Sequence, residues 1–146
     1  MSNGIEVEVY YYSKKESVLS TQQLNFVDLN NDDNQNIDFE TTRGTLLYSE
    51  DRELVGRIAS FSTWQNYSDI LLDIKTIRLG LNTIVTKKGT IGGIFTIVNP
   101  QGAFINKILK QEATFKDGYY FGKKVNYEIE NLPDSDDAKI TVFIHC

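Results

Sequence analysis

A single cysteine, a single histidine and a single tryptophan serve 146 residues, and no apolar run approaches the roughly 18 residues that a membrane helix needs. Cys146 has nothing to pair with inside the chain, which excludes the disulfide framework of small secreted domains. His145 and Cys146 are the only soft-ligand pair. As neighbours on a strand they point to opposite faces, so they make neither a zinc site by themselves nor a Cys–His nucleophile pair. No second histidine is present to activate a serine. Basic residues are in the minority, 15 against 20 acidic ones, with a net charge of −5 and a pI near 4.9. That balance argues against phosphate-backbone binding. Gly89-Thr90-Ile91-Gly92-Gly93 lacks the lysine and helix of a phosphate loop. The sequence therefore calls for no cofactor. Met1 to Glu6 shows no basic region followed by an apolar run, so an intracellular, cytoplasmic setting is expected.

What is present leans toward strands: 8 Tyr, 8 Phe and many Ile and Thr. The stretch from Asp69 to Ile129 organises the rest. It reads as strands over Ile70–Lys87, Thr90–Asn99, Gly102–Phe115 and Gly118–Ile129. Turn signals cut it at Lys88-Gly89, Asn99-Pro100-Gln101-Gly102 and Lys116-Asp117-Gly118. Strands this closely spaced leave no room for crossover helices and pair as an antiparallel meander. Leu71, Ile74, Ile77 and Leu81 are also spaced for a helix, but Ile77, Leu79 and Leu81 alternate equally well, and Thr83–Thr86 favours a strand.

Before that stretch, Ile5, Val7, Val9 and Tyr11 alternate with Glu6, Glu8 and Tyr10, the pattern of a strand whose apolar face is the first set. This places Tyr10 and Tyr12 on the other face, where a partner would cover them. Ser13–Ser17 is a polar break, a short second strand is expected over Leu24–Leu29, and Asn30–Asn36 forms an exposed loop. Strands follow over Ile37–Tyr48, with a bend or bulge at Gly44, and over Glu53–Trp64. The last strand, Lys139–His145, places Ile140, Val142 and Ile144 on the core face. About eight or nine strands with no repeat or linker predict one all-β domain over 1–146, a single antiparallel meander barrel, with a β-sandwich as the alternative.

The segment Ala113-Thr114-Phe115-Lys116-Asp117-Gly118-Tyr119-Tyr120-Phe121-Gly122 resembles the late hairpin of the allene oxide cyclase and dirigent-like barrels, with Gly118, Tyr120 and Gly122 matching its Gly-x-Tyr-x-Gly spacing. Gly56-Arg57-Ile58, Gly89-Thr90-Ile91 and Gly102 extend the likeness in outline over residues 44–146. Phe115-Lys116 and Lys123-Lys124-Val125 depart from the pattern. The resemblance implies an eight-stranded barrel, often trimeric, whose apolar lumen steers cyclisation or coupling of small hydrophobic molecules. The matching residues are turn formers, so they carry over shape and no catalytic group.

Residue by residue, candidates for chemistry are few. Asp28-Leu29-Asn30-Asn31-Asp32-Asp33-Asn34 offers alternating oxygen ligands, but Asp33 stands where a calcium loop turns on glycine and Phe39 where it needs a bidentate glutamate. Asp134, Asp136 and Asp137 read as an acidic hairpin turn, so no metal site is expected. Arg57 shares a face with Val55, Ala59 and Phe61. If that face lines the barrel, the charge needs an acid or an anionic ligand; if Leu54, Gly56 and Ile58 line it, Arg57 is in solvent. Trp64 and Tyr67 sit where they would rim a pocket mouth. Arg57, Trp64 and Tyr67 are thus the candidate ligand-binding residues. With no acid–base constellation, the leading expectation is a non-catalytic binding or self-assembly module, a dimer or trimer holding a small hydrophobic ligand. The alternative is a cofactor-free isomerase or cyclase that works by orienting its substrate.

Overall fold

The computed structural model describes residues 4–23, 39–69, 74–98 and 108–146. Within them are nine strands: β1 (Ile5–Ser13), β2 (Val18–Gln23), β3 (Phe39–Tyr48), β4 (Leu54–Asp69), β5 (Ile74–Thr86), β6 (Gly89–Val98), β7 (Leu109–Phe115), β8 (Lys124–Asn131) and β9 (Asp137–His145). All pair antiparallel with their sequence neighbours from β2 to β9, and β9 returns to β1. β1 then pairs with β3 at Tyr11↔Tyr48, and β2 pairs with the same edge of β3 from Val18↔Gly44 onward. β1 and β2 are therefore two lengths of one stave, and the sheet closes as a barrel of eight positions. The sandwich alternative and the helical reading of Leu71–Leu81 both give way, the latter because β5 pairs along its length from Ile74 to Thr86.

Closure depends on a jog in that first stave. Seven steps of chain separate Tyr11 from Val18, but their partners Tyr48 and Gly44 are four apart. The surplus is looped out at Lys14–Ser17, where Glu16 N donates to Ser13 O at 3.2 Å and Lys14 N to Asp136 O at 2.8 Å. The polar break read from the sequence is thus a bulge that hands the chain from β9 to β3. The expected second strand over Leu24–Leu29 and the Asn30–Asn36 loop lie outside the described residues. The irregularity in β3 falls between Leu47 and Tyr48, not at Gly44. Gly118 and Gly122 adopt φ of 80° and 83° in the turn between β7 and β8, where Gly122 N donates to Phe115 O at 2.9 Å. The glycines behind the family resemblance thus supply left-handed turn positions.

One half of the interior is a packed apolar core. Leu47, Ile84, Ile91, Phe115, Val125, Ile140, Val142 and Ile144 are buried there, as the alternation of the last strand predicts. β1 faces the opposite way from its expected orientation: Tyr10 and Tyr12 are buried and Ile5 and Val7 are exposed. The pairing Tyr10↔Ile140 explains this, because residues opposite in an antiparallel ladder share a face and Ile140 is inside. Two large tyrosines fill more of the barrel than the smaller aliphatic set, and no partner is needed to cover them.

The packed end is sealed by a polar plug. Lys88, in the β5–β6 turn, pairs with Glu8 and, at 3.4 Å, with Glu6. Tyr120, in the β7–β8 turn, donates to Glu6 and lies under the Lys88 ammonium, 5.6 Å from ring centre. The Tyr120 hydrogen bond, then Lys88, holds the Glu6 carboxyl below its ordinary 4.5. Lys88 is raised above its ordinary 10.5, first by its hydrogen bond to Glu8. A depressed carboxylate stabilises the fold above its unfolded pKa and ceases to as pH falls through the folded one; a raised lysine stabilises below its unfolded pKa and ceases to as pH rises. The plug is therefore intact between about 4.5 and 10.5. Thermal melts across pH should show Lys88→Met flattening the decline on both sides of that window, and superimposable wild-type and variant profiles would contradict it.

Candidate functional site

The other half of the barrel is built differently. On β5 the inward set is Arg78, Gly80, Asn82 and Ile84, while Leu81 and Val85 point outward and are exposed. β4 repeats the inversion, with Ser62 buried inside and Phe61 exposed outside. β3 adds Arg43 and Thr41, which stand opposite Ser60 and Ser62. Away from the plug, then, polar and cationic groups line the lumen and apolar ones face out.

Two hydrogen-bonded clusters organise these groups. In the first, Arg78 Nε donates to Ser62 Oγ at 3.0 Å, Ser62 Oγ lies 2.8 Å from Thr41 Oγ1, and Trp64 Nε1 donates to Thr41 Oγ1 at 3.2 Å. The Arg78 guanidinium also lies over the rings of Trp64 and Phe95, at 5.0 and 5.2 Å from their centres. Burial first, and then the Arg43 charge, lower its pKa. Gly80 makes this packing feasible. A Cβ there would come within 2.7 Å of Ser62 Cβ and 2.8 Å of the Phe95 ring.

In the second cluster Asn82 Nδ2 donates to Gln111 Oε1 at 3.0 Å and to Tyr127 OH at 2.7 Å, while Tyr127 OH donates to the same Gln111 oxygen. Two donors converging on Oε1 fix the amide orientation, since a flipped amide would set donor against donor. Gln111 Nε2 is consequently a buried donor with no partner, as is Arg43 Nε. Burial pushes the Tyr127 hydroxyl up to about 12, so it remains a proton donor at neutral pH.

Between these clusters lies an interior hollow of about 60 Å³, walled by Tyr12, Arg43, Ser60, Arg78, Asn82 and Phe95 and closed by Ile58, Leu109 and Ile129. A larger hollow, about 870 Å³, is an open groove on the outer surface among Leu81, Ile94, Asn126 and His145. It forms where β6 and β7 part, their ladder among the described residues amounting to Ile91↔Phe115 and Gly92↔Thr114. Volume favours the groove, but the convergent buried donors belong to the small interior site, and chemistry follows the donors.

Of the residues singled out by sequence, Trp64 is drawn into the interior cluster. Arg57 is not: it is exposed on the outer face, because Ile58 is the inward residue of that pair. The option that placed Arg57 in the lumen is corrected accordingly. The Tyr67 side chain and the Asp28–Asn34 segment lie outside the described residues. Asp136 and Asp137 are engaged by Lys15 at 3.0 Å and Arg52 at 3.7 Å, and His145 hydrogen-bonds Asn126. Among the described residues, no group of three or more His, Cys, Asp and Glu is placed to hold a metal ion. No helix there is long and apolar enough to cross a membrane. Arg43, Arg78, Asn82, Gln111 and Tyr127 escaped sequence reasoning. The signal was the alternation of Ile77, Leu79 and Leu81 with Arg78, Gly80 and Asn82, which reads naturally with the aliphatic set inside.

No protein-family model matches the chain, and no curated protein matches it. Solved structures do. A nonspecific haem-binding cyclase that catalyses a [4 + 2] cycloaddition during neoabyssomicin biosynthesis superposes with TM-score 0.71 at 8% identity, over 100% of this chain and 69% of that one. AbnU, an exo-specific intermolecular Diels–Alderase, gives 0.61 at 16% identity over 98% and 99%. The Diels–Alderase AbmU from Streptomyces koyangensis gives 0.67 at 9% identity over 96% and 63%. Identities this low establish a shared fold and nothing finer. The expectation of a non-catalytic module is corrected by this result: the solved barrels that share the fold are cyclases and Diels–Alderases, which favours the cyclase alternative.

The Asn82–Gln111–Tyr127 cluster makes a stability test. Tyr127→Phe removes the hydroxyl that Asn82 and Gln111 share, and should cost about 1–3 kcal/mol in urea unfolding because each buried amide loses one partner and keeps only the other amide. A variant as stable as the wild type would show that the cluster does not hold together as described.

Proposed function

We propose that this barrel is a cofactor-free cyclase that closes a ring in a small, conjugated, largely hydrophobic substrate bound in its lumen, a role akin to the allene oxide cyclase and dirigent type expected from the hairpin. The observation that carries the reading is the hollow between Tyr12, Arg43, Ser60, Arg78, Asn82 and Phe95, in which donors converge within a closed barrel. The cyclase barrels of the same fold support it.

The chemistry suits such a site. In a [4 + 2] closure four π electrons of a diene and two of an alkene reorganise, two σ bonds form and one π bond remains, with no net proton transfer. A lumen without an acid–base pair can accelerate it by holding the reacting carbons in register, which removes the entropic part of the barrier. A donor such as Gln111 Nε2, placed on a conjugated carbonyl, would stabilise charge that grows there in the transition state. Phe95 and Trp64 supply flat walls for a π system. The hollow is smaller than the roughly 300 Å³ of an ordinary ligand pocket, so the substrate would seat one polar end in it and extend toward Trp64.

The exterior adds an oligomeric part to the proposal. Phe61, Leu81 and Ile94 stand opposite one another on the outer faces of β4, β5 and β6, with Ile94 85% exposed. A dimer or trimer covering this row is proposed, and Ile94→Lys should lower the mass seen by light scattering.

The catalytic reading is tested by incubating the protein with acyclic substrates bearing a diene and an activated alkene, following loss of diene absorbance and product stereochemistry. Acceleration with a single stereoisomer is expected. Ser60→Leu, which fills the hollow at a cost of about 1–3 kcal/mol in stability, should lower the rate about 100-fold by displacing the substrate. A Ser60→Leu protein that is folded and fully active would remove the lumen from the mechanism.

A further inference from the structure

We infer that the turn between β7 and β8 docks the barrel on an anionic lipid bilayer, with Tyr119 and Phe121 entering the headgroup layer and the lysines around them meeting its negative charge.

The fold draws on the backbone of this turn and leaves most of its side chains over. Phe121 N donates to Gly118 O at 3.2 Å, Lys123 N to Tyr120 O at 2.9 Å and Phe115 N to Lys123 O at 3.0 Å. The turn is also locked to the β5–β6 turn beside it. Asp117 accepts from Thr90 N at 2.6 Å and from Thr90 Oγ1 at 3.0 Å, and a Cβ on Gly118 would come within 2.6 Å of Lys88 O. Of the three consecutive aromatic residues, Tyr120 alone turns inward, to Phe115 and to Glu6 of the plug. Tyr119 is 91% and Phe121 71% exposed, and the Tyr119 ring is set edge-on against Tyr120 at 5.1 Å. Two aromatic rings held in water on so rigid a turn mark a surface that meets something else.

Charge says what that is. Lys116, Lys123 and Lys124 flank the rings in sequence, and Lys87 comes from the neighbouring turn. All four are exposed, and none is ion-paired among the described residues. The acids of the two turns and of the plug beneath them are already engaged: Asp117 with Thr90, and Glu6 and Glu8 with Lys88. Where Lys116 and Lys124 border the outer groove, Glu112 is the single acid on its lining. A chain of net charge −5 thus gathers four unpaired cations around two exposed aromatics. An anionic bilayer fits both features. Aromatic rings settle at headgroup depth, and each lysine close to a negatively charged membrane adds roughly a fivefold gain in partitioning. A protein partner would ask instead for a patch of roughly 800 Å², whereas two rings on one turn make a point of insertion.

Sedimentation with vesicles tests the inference. The full chain should pellet with vesicles of phosphatidylcholine mixed with phosphatidylserine and not with phosphatidylcholine alone, and added salt should release it. These comparisons need no variant. Phe121→Ser should weaken the binding about tenfold, and Lys123→Gln combined with Lys124→Gln about 25-fold. Lys15→Gln, in the bulge beyond β1, should leave it unchanged. All these side chains are exposed, so the variants should melt with the wild type. Equal pelleting with both vesicle types, pelleting with neither, or a loss with Lys15→Gln as large as with the lysine pair would overturn the inference. Binding that poly-glutamate beads share and that Phe121→Ser leaves intact would overturn it too, marking the lysines as a site for an acidic protein.

Discussion

Closing a sheet on itself removes every choice about which way a side chain faces. Once Tyr11 is opposite Tyr48 and Tyr10 opposite Ile140, the two-residue period of the strands assigns all remaining positions to the lumen or the outside. The bulge at Lys14–Ser17 is the step that makes these pairings compatible. It transfers one stave from β9 to β3, so that the edge β1 leaves is taken up by β2. The composition of the interior, and with it the chemistry, follows from that register.

The register divides the barrel lengthwise. At the plugged end the inward positions are aliphatic and aromatic, and their burial supplies the cohesion that a chain without disulfides needs. At the other end the same strands turn serines, an asparagine, a glutamine and two arginines inward while Phe61, Leu81 and Ile94 face out. Such a distribution is poor for stability taken alone, since each buried polar group must recover the hydrogen bonds it had in water. The Ser62–Thr41–Trp64 and Asn82–Gln111–Tyr127 clusters recover most of them. Arg43 Nε and Gln111 Nε2 are among the groups left over.

This division also decides what could be read from the chain beforehand. The all-β meander, the turns around Lys88-Gly89 and Gly118, and the inward set of β9 were legible because spacing and polarity agree there. In β1 they disagree: Ile5 and Val7 look like core beside Glu6 and Glu8, yet the glutamates enter the plug and Tyr10 and Tyr12 the interior. The same conflict hid the site. Arg57 was singled out because it sits among apolar neighbours, but Ala59 and Phe61 among them lie exposed on the outer face; Arg78 passed unnoticed because Ile77 and Leu79 beside it look like core. Binary patterning presumes a greasy inside and a wet outside, and it fails where polar side chains line a lumen.

The seam between β6 and β7 carries a mechanical consequence. Seven of the eight junctions of a hoop can be tight if one is slack, and here the slack joint, with two paired positions among the described residues, runs beside the wall that holds Gln111 and Phe95. Separating these staves further breaks few ladder bonds, so the circumference can widen there first, without disturbing the plugged end that keeps the cask together.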